Sequence, residues 1–580
     1  MLKLNQRPEV KRKGRLLRDT SVPALLGCIV ASLMMLGPHV FPLDQISEST
    51  YSQEDAYICL WGLWWTKHSV LEGLNPYWTN FLFHPMGTSL AFHAYPLTYG
   101  LLSIPFQWLI EDVPGLVIAL NGIILLSFVF SGFGAYLLAF HVTGSRLAGW
   151  VAGTLFAFMP FHSLNRVTLH LLAIEFIPFY ILSLLRVSEE PTPRRAILMG
   201  LWLALTYYSS LEYALYLLIF SFLWLLYRVI FSLRQITRKH IMALAGSCAI
   251  FLLLASPLLL QQMEAYSEYD STISQDFEEV TFWSPALLSF VTPSRMHPYY
   301  GQAMASAGEL TDERPQKWGM RSEASIGWVA LGLSMVGLFG LRRGDRAFWC
   351  LAALFFFSLS LGPFLRVTGE WLSEIPLPYL LIYEWVPLFR TGRDPTRFIP
   401  VAVLMLSIMA AFGVESLLRH FSGKHLRLLV TILLSELILF ESLIVWVGSY
   451  QPSVPRLYRH LTDAKRGVAI IDLTAEPFKL LPQTVHEKRI TYLEKTLPRT
   501  PSKKWMLPVE YDLRFPESFL HLDAQVQSER LEEHRKNLKT LHIQFIILPR
   551  GPRTLLQIQL AERLGAIVKE ANGLYLCELP

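Results

Sequence analysis

The sequence predicts an α-helical polytopic membrane protein with about eleven transmembrane helices, followed by a small C-terminal extracytoplasmic α/β domain. Three observations predict it. The chain is 52% hydrophobic and only 17% charged, where a soluble globular protein carries roughly 25% charged residues. Apolar runs close to the roughly 20 residues needed for one crossing recur as far as residue 447. Beyond that point the chain turns polar and shows the short patterns of a soluble mixed fold.

Residues 1–21 form a basic N-terminus with Lys3, Arg7, Lys11, Arg12, Lys13, Arg15 and Arg18. The run that follows, 22–42, is longer than a signal-peptide core and lacks a small-residue cleavage site. It reads as a first span with the N-terminus in the cytoplasm. Later spans are expected at 115–141, 147–160, 169–187, 196–210, 211–227, 241–261, 324–341, 347–365, 398–418 and 428–447. Residues 95–110 are also apolar, and counting them would invert everything downstream. The short basic loops decide the parity. Arg186, Arg194 and Arg195 form one cluster, and Arg228, Arg234, Arg238 and Lys239 another. Arg342, Arg343 and Arg346 form a third, and Arg419, Lys424 and Arg427 a fourth. All share the cytoplasmic side only if 95–110 does not cross. That stretch holds Pro96 and Pro105 and ends in Glu111-Asp112, so it reads as an interfacial element.

The membrane domain is thus 22–447, with large outward loops at 43–114 and 262–323 and a small one at 161–170. Residues 448–580 form the outward C-terminal domain, long enough to bury a core of its own. Strands are expected at 467–473 and 542–548, a helix at 553–564, and strands at 566–568 and 574–579. The last two flank Asn572-Gly573, a strong hairpin signal.

Several function classes are excluded or left without a signal. The net charge of +5 comes mostly from inter-span loops, so topology explains it better than nucleic-acid binding. Cys28, Cys59, Cys248, Cys350 and Cys577 have neither metal spacing nor a disulfide framework. There is no Gly-rich nucleotide loop, no HExxH, and no inverted repeat of the transporter kind.

Two stretches carry candidate chemistry. Glu54-Asp55 precedes a helix-like segment with Trp61, Trp64, Trp65, Lys67 and His68, which suits a helix lying at the lipid surface. Asp55 reads either as a solvated acid beside an aromatic belt or as a general base that takes a proton from an attacking hydroxyl. Glu54 competes for that role. Arg390, Arg393 and Arg397 lie ahead of and at the start of the 398–418 span. Their planar forks suit bidentate phosphate binding, and the span adds a positive helix end. Headgroup anchoring, or pairing with Glu384 and Asp394, is the plainer reading. The outward turn at 161–170 offers Asn165, Arg166 and His170, with Glu175 a turn further on and Glu212 at another helix junction. An acid inside a span is costly and marks either a helix staple or a binding site.

These residues recur in a particular order. Asp55 and the Trp-rich run are followed by Asn75-Pro76 and by Phe83-His84-Pro85-Met86-Gly87. Residues 131–138 and 153–160 come next, then His170-Leu171, Glu175 and Pro178, then Pro293 and His297-Pro298. Arg393-Asp394-Pro395-Thr396-Arg397-Phe398 closes the series. In this order the chain resembles the GT-C glycosyltransferases, in particular the YfhO-like and related polytopic members, over residues 22–418. The resemblance implies a multi-pass enzyme of the bacterial cytoplasmic (inner) membrane. Such an enzyme moves a sugar from a polyprenyl-phosphate-linked donor to a cell-envelope glycan, lipid or protein on the outer face, with inversion at the anomeric carbon. It assigns the first-loop acid role to Asp55. Many members add an acid in the second outward loop, sometimes with a divalent metal. Residues 161–170 contain none, and Glu175 is the nearest, so no cofactor is certain and a divalent metal stays open. The other readings are a transporter of lipid-linked glycan or polysaccharide and a non-catalytic membrane scaffold. The absent inverted repeat and the long Trp-rich first loop weigh against transport.

Overall fold

The computed structural model describes residues 6–47, 53–93, 95–273, 277–294, 296–301, 324–339, 344–367, 371–444, 448–465, 467–474, 480–491, 506–571 and 573–580. Arg342, Arg343, Asn572 and the Glu54 side chain lie outside what it describes. The chain is mostly helical and divides into two compact units. One comprises Met1–Phe41, Gly122–Pro257 and Ser274–Gly448. The other comprises Pro42–Asn121, Leu258–Ile273 and Ser449–Pro580. The 42–121 stretch therefore groups with the C-terminal segment.

Among the described residues, each of the eleven expected spans overlaps a helix. Seven helical segments are both long and apolar enough to cross a membrane: Ser21–Val40, Asp112–Thr143, Arg146–Leu164, Leu169–Glu189, Leu211–Ser232, Arg238–Ser267 and Pro395–Leu418. Trp328–Leu338 and Arg346–Ser360 are apolar but shorter. Pro193–Ser209 has 17 residues, and Lys424–Glu441 carries Lys424, Arg427, Glu436 and Glu441. The chain is a polytopic helical membrane protein.

In the first unit, local chemistry sets the helix starts. Ser145 Oγ accepts from Ala148 N, and Thr192 Oγ1 accepts from Arg195 N one residue before Pro193. The Trp328–Leu338 and Ile399–Leu418 helices cross at glycines. A Cβ on Gly413 would lie 1.9 Å from Leu333 O, and one on Gly337 would lie 2.2 Å from Met409 O. Only glycine lets the two backbones approach this closely. Ser334 Oγ donates to Leu406 O at 3.1 Å across the same crossing.

The second unit holds a five-stranded mixed sheet. Its strand order is Ile567–Ala571, Leu574–Glu578, Ile543–Pro549, Ala469–Asp472, Arg489–Ile490. The first three pair antiparallel and the last three parallel. The expected strands and the Thr554–Arg563 helix all form. Alternation explains the central strand, which is covered on both faces. Ile546 and Leu548 pack with Leu513, Phe519 and Leu560 on one side, while Phe545 and Ile547 pack with Leu457 and Tyr458 on the other. The Ala524–Thr540 helix went unpredicted because it is polar and buries only Leu531, His534 and Leu538.

The first loop contributes two helices to this unit, Gln53–Leu71 and Leu97–Leu109. The tryptophans of the first helix do not form the exposed aromatic belt that its composition suggested. Trp61, Trp64 and Trp65 are buried, and their helical spacing places them on one inward face. Trp61 and Trp65 stack with ring centroids 5.8 Å apart. Trp65 Nε1 donates to Pro76 O at 2.9 Å, so its polar handle is satisfied within the protein. The Leu97–Leu109 helix has 13 residues and spans only about 20 Å, short of the roughly 30 Å hydrocarbon core.

Candidate functional site

In the first unit, Ser210 is extended and interrupts the chain between Pro193–Ser209 and Leu211–Ser232. The break places Glu212 in the first turn of the second helix. Opposite it, Asp394 Oδ1 accepts from Thr396 N at 3.0 Å and from Thr396 Oγ1 at 2.6 Å. This cap sets the Pro395–Phe398 turn, which leads into the Ile399–Leu418 helix. Arg397 thus stands at the N-terminal end of a membrane span. Its Nη1 donates to Glu212 Oε1 at 2.5 Å, with the two side chains 13% and 14% exposed. Arg397 Nε and Glu212 Oε2 are buried without a hydrogen-bond partner among the described residues. Tyr216, one turn beyond Glu212, stacks on Phe398 with centroids 3.8 Å apart. A Cβ on Gly392 would come within 3.4 Å of Glu212 Oε1, so the arginine loop passes close over the pair.

The three arginines have different surroundings. Arg390 clamps backbone, donating from Nε to Tyr383 O at 3.2 Å and from Nη2 to Glu384 O at 3.0 Å. Arg393 is 40% exposed, lies 3.5 Å from Glu279 Oε1, and stacks 5.0 Å over the Trp283 ring. Arg397 alone is both nearly buried and ion-paired.

A second polar group lies deeper. Ser127 Oγ donates to Glu175 Oε2 at 2.8 Å and sits 3.2 Å from His162 Nε2. The His162 ring stacks on Phe128, and its Nδ1 lies 2.7 Å from Ala157 O. Arg166 is fully buried, His170 half-buried, and Asn165 Nδ2 donates to Phe161 O at 2.9 Å. Tyr213 OH donates to Leu171 O at 2.8 Å. This bond joins the 161–175 stretch to the helix that begins at Leu211 and carries Glu212. Ser127, His162 and Tyr213 were not singled out from sequence. Their only signal was a polar atom within or beside an apolar run.

In the second unit, Asp55 lies half-buried in the first turn of Gln53–Leu71. Tyr57, half a turn further, packs against Tyr450 with ring centroids 6.3 Å apart. Ser449–Tyr450 pairs antiparallel with Ile46–Ser47, so the start of the Asp55 helix is framed by both parts of the unit. Among the described residues no three His, Cys, Asp or Glu side chains gather as a metal site.

Among solved structures, the chain is similar to an apo oligosaccharyltransferase of Archaeoglobus fulgidus. Identity is 10% and the TM-score 0.47, over 93% of this chain and 71% of that one. It is also similar to apo ArnT of Cupriavidus metallidurans, at 10% identity and TM-score 0.45, over 95% of this chain and 98% of that one. No family model and no curated protein matches the sequence.

The helix that carries Asp55 is fastened to the C-terminal segment by one amide. Trp61 Nε1 donates to Gln483 Oε1 at 2.8 Å. Gln483 Nε2 donates to Phe81 O at 2.7 Å and to Lys488 O at 2.9 Å. Gln483 is completely buried. Gln483→Leu keeps the approximate volume but strands these three groups, each costing about 1–3 kcal/mol. The expected loss is about 3–5 kcal/mol, read as a lower unfolding temperature of the detergent-solubilised protein and faster proteolysis of the first loop. Trp61→Phe, which frees only the Gln483 oxygen, should cost less than half as much. Equal effects of the two would show that packing, not the amide, holds this contact.

Proposed function

We propose that the protein transfers a sugar from a polyprenyl-phosphate-linked donor to a cell-envelope acceptor on the outer face of a bacterial cytoplasmic membrane. The observation that carries this reading is the Glu212–Arg397 pair at the start of a span. The pair is nearly buried, yet Arg397 Nε and Glu212 Oε2 keep a donor and an acceptor unused among the described residues. A buried pair with unused hydrogen-bonding groups is a poor staple and a good receptor for a group that both accepts and donates. A sugar phosphate is such a group. In this reading Arg397 takes a phosphate oxygen, Glu212 takes a sugar hydroxyl, and Arg393 meets the phosphate from the rim. Asn165, Arg166, His170 and Glu175 shape the sugar side.

The acceptor oxygen attacks the anomeric carbon from the face opposite the phosphate. The carbon–oxygen bond to the phosphate breaks, and its electron pair stays on the phosphate oxygen, where the arginines stabilise it. The acceptor's proton passes to a carboxylate, the role that the resemblance gives to Asp55, with Glu54 as the competing acid. One face is attacked while the other is vacated, so the anomeric configuration inverts. The resemblance to YfhO-like GT-C enzymes supports the same assignment of Asp55.

Native mass spectrometry of the purified protein tests the donor class. Polyprenyl phosphate should form a one-to-one adduct that a polyprenyl-phosphate sugar displaces and the uncharged polyprenol does not. Equal binding of phosphate and alcohol would leave only an apolar groove and remove the basis for a phosphate site.

A further inference from the structure

The Lys424–Glu441 helix, in the first unit, carries an acid on its outer apolar face. On its inner face Thr431, Ser435 and Ile438 are buried. Thr431 Oγ1 donates to Arg427 O at 2.8 Å and Ser435 Oγ to Thr431 O at 2.9 Å, so both hydroxyls are satisfied within the helix. Glu441, at its far end, accepts from Val329 N at 3.0 Å and holds the helix to the start of Trp328–Leu338. The outer face is made by Leu429, Ile432, Leu433 and Leu437, which are 52%, 46%, 54% and 50% exposed. Glu436 is exposed in the middle of that face, one turn beyond Ile432 and Leu433 and two turns beyond Leu429. It lies about 14 Å along the axis from Arg427, too far for a glutamate side chain to reach the basic end. Among the described residues no side chain pairs with it.

We propose that this face docks a membrane-spanning helix of another protein, one that carries a lysine or arginine at the depth of Glu436. The proposal stands apart from the glycosyl-transfer reading. Lipid alone is a poor cover, because an ionised side chain within a span is costly in acyl chains and is met by a cation or a water-filled cavity. The charge therefore sets the partner's chemistry. A cation opposite Glu436 makes a hydrogen-bonded ion pair inside the contact, while Leu429, Ile432, Leu433 and Leu437 pack around it. A second copy of this chain does not supply that cation. Its expected spans contain no lysine or arginine except Arg186, at the end of 169–187. Two copies joined through this face would set Glu436 against Glu436, and like charges repel.

Designed single-span peptides test this with the full-length protein in proteoliposomes. Each has a leucine–alanine span of about 20 residues with lysine, leucine or glutamate at its centre, and a photoreactive leucine beside that position. Crosslinks are mapped on the chain and quantified. The lysine peptide should label Lys424–Glu441 about tenfold more than the leucine peptide does. Glu436→Leu should abolish that preference, and Glu436→Lys should transfer it to the glutamate peptide. Equal labelling by the lysine and leucine peptides would leave lipid as the cover and overturn the proposal. So would a lysine preference that survives Glu436→Leu, or a dimer of the chain that Glu436→Leu disperses.

Discussion

Asp55→Asn is expected to abolish sugar transfer while leaving the protein folded. A positioned general base contributes roughly 10²–10⁴-fold, so the loss should be about a thousandfold. Asparagine keeps the size of the side chain and its ability to accept a hydrogen bond at the start of the Gln53–Leu71 helix, but it cannot take the acceptor's proton. Unfolding temperature and expression should stay near those of the parent. Glu54→Gln should cost less than about tenfold, because one acid suffices for one proton. The assay is release of polyprenyl phosphate from a radiolabelled lipid-linked sugar in membranes containing the protein. If Asp55→Asn retains a tenth or more of parental activity, Asp55 is a helix-start acid only.

Arg397 and Glu212 should separate stability from donor binding. Arg397→Ala leaves the Glu212 carboxylate nearly buried and alone, which should cost about 3–5 kcal/mol and also remove the phosphate contact. Arg397→Ala combined with Glu212→Leu removes both charges and should regain most of that stability. Donor binding should not return, because the phosphate's cation is still missing. Arg397→Lys keeps the charge but loses the planar fork, and should weaken polyprenyl-phosphate binding by about a hundredfold. Thermal unfolding in detergent and native mass spectrometry read the two quantities on the same samples. Donor affinity that follows stability through all three variants would make the pair a helix staple.

Much of the architecture was legible in the sequence because it rests on local rules. Apolar runs placed the span helices, and the two prolines and acidic end of 95–110 matched a helix too short to cross. Alternation and a turn signal located the strands at Ile543–Pro549, Ile567–Ala571 and Leu574–Glu578. The site was harder to read because its defining contacts are long-range. Glu212 and Arg397 are 185 residues apart, and Trp61 and Gln483 are 422 apart. Neither partner announces the other by spacing. Composition also misled at the tryptophans, because an aromatic belt and an aromatic core use the same residues. Only the acceptors at Pro76 O and Gln483 Oε1 distinguish the two. Arg390, Arg393 and Arg397 looked equivalent as a cluster, yet one clamps backbone, one stacks on a rim, and one is buried in a pair.

The most direct test of the account is the position of a lipid phosphate in a cryo-electron-microscopy map of the protein in nanodiscs with a non-hydrolysable polyprenyl-phosphate sugar. The phosphate should lie within about 3 Å of the Arg397 guanidinium, with Arg393 turned toward it and the sugar beside Glu212. Phosphate density held by other residues, with the Glu212–Arg397 pair closed, would contradict it.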